Sequence, residues 1–214
     1  MTTFDDLSGL RPAFARIPSK PAPAPGGLPG LGGPAPSPYA FAPDPDLRRR
    51  RLEDTAKLMA TDNAEGAAAL RETDVFSALG EAMGAQGMSV NDLADVFAGY
   101  LGQFWELANG APRAPDADRI GALRRQARAI LDEAMSDAQR GAAGVIQSLS
   151  DALAVQVFVY GVTAFRLTQD WKARTRQLSD NYDALAKDML GLDFRLFTLD
   201  AKGLVARSAD AFVG

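Results

Sequence analysis

Histidine and cysteine are both absent from this chain of 214 residues. Without cysteine there is no thiolate nucleophile, no disulfide and no thiolate-held zinc or iron–sulfur site. Without histidine there is no Ser-His-Asp triad, no imidazole base near neutral pH and no imidazole ligand for a metal. Excess positive charge is missing too: 27 acidic residues stand against 23 basic ones. That balance argues against nucleic acid as the main partner, because phosphate binding needs concentrated cations. The chemistry left to the chain is that of carboxylates, lysines, tyrosines, hydroxyls and backbone groups.

Hydrophobic residues make up 47% of the chain and charged residues 23%, enough for one buried core with an appendage. The start, Met1-Thr2-Thr3-Phe4-Asp5-Asp6, lacks the basic and apolar regions of a signal peptide. Taken as it stands, it predicts a protein that remains in the cytoplasm. The most apolar stretch, Ala152 to Leu167, falls short of the ~20 residues a membrane span requires and contains Gln156. It reads as a buried core helix, so no transmembrane span is expected.

Two regions differ in physics. From Ile17 to Pro45 lie ten of the thirteen prolines and five glycines. Proline fixes φ and lacks an N–H, so this stretch favours extended, kinked chain over helix or sheet. Ahead of it stand Phe4, Leu7, Leu10, Phe14 and Ile17. Large apolar side chains serve no purpose on a solvated tail. Residues 1–45 therefore read as an arm, with segment 4–17 docking on a protein partner. Folding back onto the chain's own core is the competing arrangement. About 25 extended residues would reach roughly 80 Å.

Residues 46–214 read as a helical domain, alanine- and leucine-rich and nearly free of proline after Pro45. Helices are expected near 46–60 and near 67–83. The next starts at Ser89, where Asp92 completes a near capping box, and is stopped by Asn109-Gly110. Its face is Val90, Leu93, Phe97, Leu101, Phe104 and Ala108. A fourth, near 116–134, carries Ile120, Leu123, Ala127, Ile130 and Leu131 on one side, with Arg124, Arg125 and Arg128 on the other. A long fifth runs from Ser136 to about Leu167, apolar all round in its middle, and a sixth covers 169–190. Residues 192–214 read as an irregular cap with a turn at Asp200-Ala201-Lys202-Gly203. The class is all-α, a bundle of five to six helices.

Three blocks carry a resemblance: Asn91-Asp92-Leu93-Ala94-Asp95-Val96-Phe97-Ala98-Gly99-Tyr100 with Trp105 and Ala108-Asn109-Gly110; Ala122-Leu123-Arg124-Arg125-Gln126-Ala127-Arg128; and Gly191-Leu192-Asp193 with Leu196, Thr198 and Gly203. Together, over about 88–204, they resemble an uncharacterised all-helical bacterial family found mostly in secreted or periplasmic proteins. The resemblance implies a periplasmic or extracellular setting and carries no site residue.

The densest charge is Arg48-Arg49-Arg50-Arg51, which could grip an anionic surface. Asp44, Asp46, Glu53 and Asp54 flank it, which favours a solvated helix start with paired arginines. Among carboxylates, Glu106 stands beside the aromatics Phe104 and Trp105, where desolvation could raise its pKa, and Asp95 would be its partner in a hydrolase cleft. No calcium loop, metal cluster or phosphate loop is present, so no metal and no cofactor is expected. Trp105, Trp171, Phe97, Phe104, Phe158 and Phe165 fall at core spacing.

The reading that follows is a non-catalytic interaction or assembly subunit, docking on a protein partner through Phe4, Leu7, Leu10, Phe14 and Ile17, and able to self-associate. The alternatives are a carboxylate-dependent hydrolase of envelope polymers built on Glu106, and a carrier of lipid or small apolar ligands. The carrier would use a cavity between the helix stopped at Gly110 and the long fifth helix.

Overall fold

Asp92 starts the central helix: its carboxylate accepts from the backbone N–H groups of Ala94 and Asp95. Leu93–Asn109 follows, and Gly110, at φ 60°, ends it in the left-handed conformation that glycine adopts without strain. The computed structural model describes residues 10–20, 22–23, 37–110, 116–168 and 171–207; the side chains of 163–175 and 189 are outside that description.

Within those residues nine helices occur: α1 (Arg11–Phe14), α2 (Pro45–Met59), α3 (Ala64–Glu72), α4 (Val75–Gly84), α5 (Leu93–Asn109), α6 (Ala117–Ala134), α7 (Asp137–Arg140), α8 (Ala143–Thr168) and α9 (Trp171–Leu190). The protein is mostly helical. Leu93, Phe97, Leu101, Phe104 and Ala108 are all buried, and α5 is enclosed by α6, α8 and α9. Tyr100 and Phe104 stack at 4.7 Å, and Phe104 meets Tyr160 edge-on at 5.3 Å.

Four expectations change. The helix near 67–83 is two helices, because Asp74 caps α4 by accepting from Ser77 N–H. Ser89 is not a helix cap; its hydroxyl accepts from Asn91 N–H, and helix begins only after Asp92. The long fifth helix is interrupted: Ser136 and Gln139 form a capping box on the one-turn α7, and α8 starts afresh at Ala143. The C-terminal cap is not irregular. Phe197–Asp200 (β1) and Gly203–Ala206 (β2) pair antiparallel, with Phe197, Leu199 and Leu204 turned into the core.

The N-terminal segment folds back. Leu10, Phe14 and Ile17 are at most 2% exposed and belong to the main core. Phe14 meets Phe97 edge-on at 5.3 Å and Tyr100 at 6.0 Å. Further along, Tyr39 to Phe41 run beside Asn91 to Leu93: Phe41 N–H donates to Asn91 O and Leu93 N–H to Tyr39 O. Phe4, Leu7 and most of the Pro/Gly-rich stretch lie outside the described residues.

Over Ala143–Val162 the helix α8 is, by length and composition, long and apolar enough to cross a membrane, which extends the apolar stretch beyond its expected start at Ala152. About half of that window, 56%, is buried inside the protein. Ile146, Leu149, Leu153 and Val155 are buried, as in a core helix, while the first turn at Ala143 to Val145 is exposed.

Candidate functional site

Leu79 and Met83 of α4, Gly99, Gly102, Gln103 and Glu106 of α5, Leu123 of α6 and Phe158, Gly161 and Val162 of α8 surround a cavity of about 370 Å³. It is a cleft, open on one side. Small residues create the space: a Cβ placed on Gly99 meets no atom within 4 Å. Gly161 works differently. A Cβ there would sit 2.8 Å from Gln103 Nε2, so its bare backbone lets Gln103 cross and donate to Val157 O at 3.1 Å. The buried Oε1 of Gln103 has no partner among the described residues.

Glu106 is the sole ionisable side chain among the described lining residues. No hydrogen bond or ion pair ties it to another described residue, and burial alone pushes its carboxyl up to about 7. The fully buried carboxylates among the described residues each have at least one partner, although Asp183 Oδ1 has none. Asp95 accepts from Arg124 Nε at 2.7 Å and Nη2 at 3.0 Å, and from Ser89 N–H. Asp151 pairs with Arg48 at 3.2 Å, and Asp183 with Lys187 at 2.7 Å. Asp92 caps α5.

A hydrolase pair of Glu106 with Asp95 is not assembled. The two lie three turns apart on α5, roughly 16 Å at ~1.5 Å per residue. Asp95 lines a second cleft, of about 610 Å³, with Arg124, Arg125 and Arg128. Arg124 there is engaged by Asp95 and Arg125 by the carbonyls of Pro23 and Ala201, while Arg128 reaches Asp92 at 3.9 Å and leaves its buried Nε without a partner among the described residues. Tyrosine supplies no base either, since burial pushes the Tyr160 and Tyr182 phenols up to about 12.

Leu10, Phe14 and Ile17 are spent on the chain's own core and offer nothing to a partner in this arrangement. The reason is geometric: the one-turn α1 seats Phe14 between Phe97 and Tyr100. The arginine run is likewise dispersed. Arg48 turns inward, donating to Asp151 and to Asn91 (2.6 Å) with its guanidinium 4.2 Å from the Phe76 ring centroid. Arg49 pairs with Asp46, Arg50 donates to Asp46 O and Arg51 to Ser148. No four-arginine anion grip forms.

Of the aromatics, Phe158 lines the cavity, while Phe97 and Phe104 are core. Trp105 is half-buried and its indole N–H donates to Phe197 O at 3.0 Å. Trp171 and Phe165 have side chains outside the description. Gly99, Gly102, Gln103 and Gly161 are site residues that sequence reading passes over. Their signal was the run of small residues on α5 beside a glutamine at the same helical face. The described residues hold no group of three or more acidic, histidine or cysteine side chains suited to a metal. No protein-family model matches this chain, and no curated protein and no solved structure matches it.

Proposed function

We propose that this protein is a non-catalytic binding protein, a helical bundle that holds a small apolar molecule between α4, α5, α6 and α8. The observation carrying this reading is the open cavity itself. Its volume, about 370 Å³, falls in the ~300–1,000 Å³ range of small-molecule sites. Its walls are mostly aliphatic with few polar groups, the composition such sites share. That no second carboxylate lines the cavity among the described residues weighs against the hydrolase alternative. Docking of the arm on a protein partner is the second-ranked reading, and it now falls on Phe4 and Leu7 alone. The family resemblance would make the protein periplasmic or extracellular.

The test is a fluorescence titration with N-phenyl-1-naphthylamine, a neutral probe that brightens in apolar surroundings, on wild type and Gly99→Leu. A Cβ at this lining position meets no atom within 4 Å, so the leucine side chain starts into open space. Replacing a helical glycine also favours the helix by about 0.5–1 kcal/mol, which protects folding. Saturable binding lost in Gly99→Leu is the expected result. Equal binding by both proteins, or none by wild type, overturns it.

A further inference from the structure

We propose that the cavity selects an apolar amine: a molecule with one ammonium group set against the Glu106 carboxylate and a hydrocarbon or aryl body along the helix walls. This inference rests on the ligand-binding reading above and names the chemical class that the same site takes.

The argument starts from how this chain treats carboxylates away from water. Asp95 has Arg124, Asp151 has Arg48 and Asp183 has Lys187, while Asp92 takes two backbone N–H groups. A carboxylate withdrawn from water is costly unless a cation or donor faces it. Glu106, half-buried on the wall of the cavity, has no cation or donor facing it among the described residues. The missing partner is then supplied by what enters the cavity.

The sign of that partner follows from the lining. No lysine or arginine lines the cavity among the described residues. A fatty acid or a phosphate headgroup would therefore set a second anion beside Glu106 with no cation to offset it. A neutral alcohol fits the walls but leaves the carboxylate without a counter-charge. An ammonium fits both. It donates to Glu106, and Phe158 lines the same cavity with an aromatic ring, a group that attracts cations. Met83 and Met88, flexible and polarizable, line the same space and adapt to the body of the ligand. At ~30 Å³ for each water-sized group, the nine non-hydrogen atoms of octylamine take up roughly 270 Å³, which the cavity accommodates.

The experiment uses three probes of matched chain length, 1-octanol, octylamine and octanoate, each displacing N-phenyl-1-naphthylamine from the full chain at pH 8. There Glu106 and octanoate are ionised and octylamine is protonated. Octanol binding reports the cavity alone. The expected result is octylamine at least about tenfold tighter than octanol, with octanoate weaker than both. In Glu106→Gln the ratio of octylamine to octanol should fall to about one. Octanol bound as well as octylamine, or octanoate bound best, overturns the amine assignment and leaves the cavity reading standing. No displacement by any probe removes the cavity reading itself. An unchanged preference in Glu106→Gln also overturns the assignment.

Discussion

Gln126 and Gly203 are matched so closely that a single Cβ on the glycine would lie 2.3 Å from Gln126 Oε1. The fully buried amide donates to Lys20 O at 2.8 Å and to Leu204 O at 2.9 Å, and accepts from Leu204 N–H at 2.8 Å. One side chain of α6 thus ties down both the N-terminal segment and the β1–β2 hairpin. Replacing it by leucine leaves these backbone groups without their partner, at about 1–3 kcal/mol for each one stranded. Gln126→Leu should lower the urea midpoint and speed hydrogen exchange in 197–206 before the rest of the chain. Gly203→Ala should do the same, since its φ of 85° also disfavours a side chain.

The ion pair of Arg124 with Asp95 should be the most sensitive charge contact. Asp95 is 3% exposed at its side chain, so removing its cation strands a buried carboxylate. Arg124→Met should cost about 3 kcal/mol in urea unfolding. Arg49→Met, whose pair with Asp46 is open to solvent, should change stability by less than about 0.5 kcal/mol.

Phe14 separates a core role for the N-terminal segment from a docking role. Its ring fills space between Phe97 and Tyr100. Phe14→Ala should destabilise the fold by about 3–5 kcal/mol, read by thermal or urea unfolding of the isolated protein. A segment held for a partner would leave the isolated protein unchanged.

Glu106 makes stability depend on pH in a stated direction. Its carboxyl, at about 7 in the folded chain, sits above its ordinary value of 4.5. The folded state therefore keeps a proton that the unfolded state releases. Below about pH 4.5 both states are protonated and Glu106 costs nothing. As pH rises toward 7 stability falls, and above it the loss is complete. Glu106→Gln should flatten that slope between pH 5 and 8 and be the more stable protein at pH 8, measured by urea midpoints in matched buffers.

Helix placement was legible because periodicity and caps are local. The face from Leu93 to Ala108 and the stops at Gly110 and Gly191 follow from side-chain spacing and positive φ alone. The hairpin also left a trace: Phe197 and Leu199 alternate with Thr198 and Asp200 ahead of a two-residue turn. Strands of four residues are too short to outweigh a helical context in sequence.

The site was only half legible. Glu106 stood out as a carboxylate beside aromatics, but nothing in the spacing told whether it faced a second carboxylate, an arginine or an opening. By itself the sequence determined a histidine- and cysteine-free, mostly helical chain, because composition and short-range periodicity decide those properties. Tertiary structure alone decided that Leu10, Phe14 and Ile17 serve the core, that Arg48 turns inward, and that Glu106 borders a cavity. Those outcomes depend on contacts between residues far apart in the chain, such as Phe14 with Phe97 and Arg48 with Asp151, and a long-range contact leaves no periodic mark on either partner.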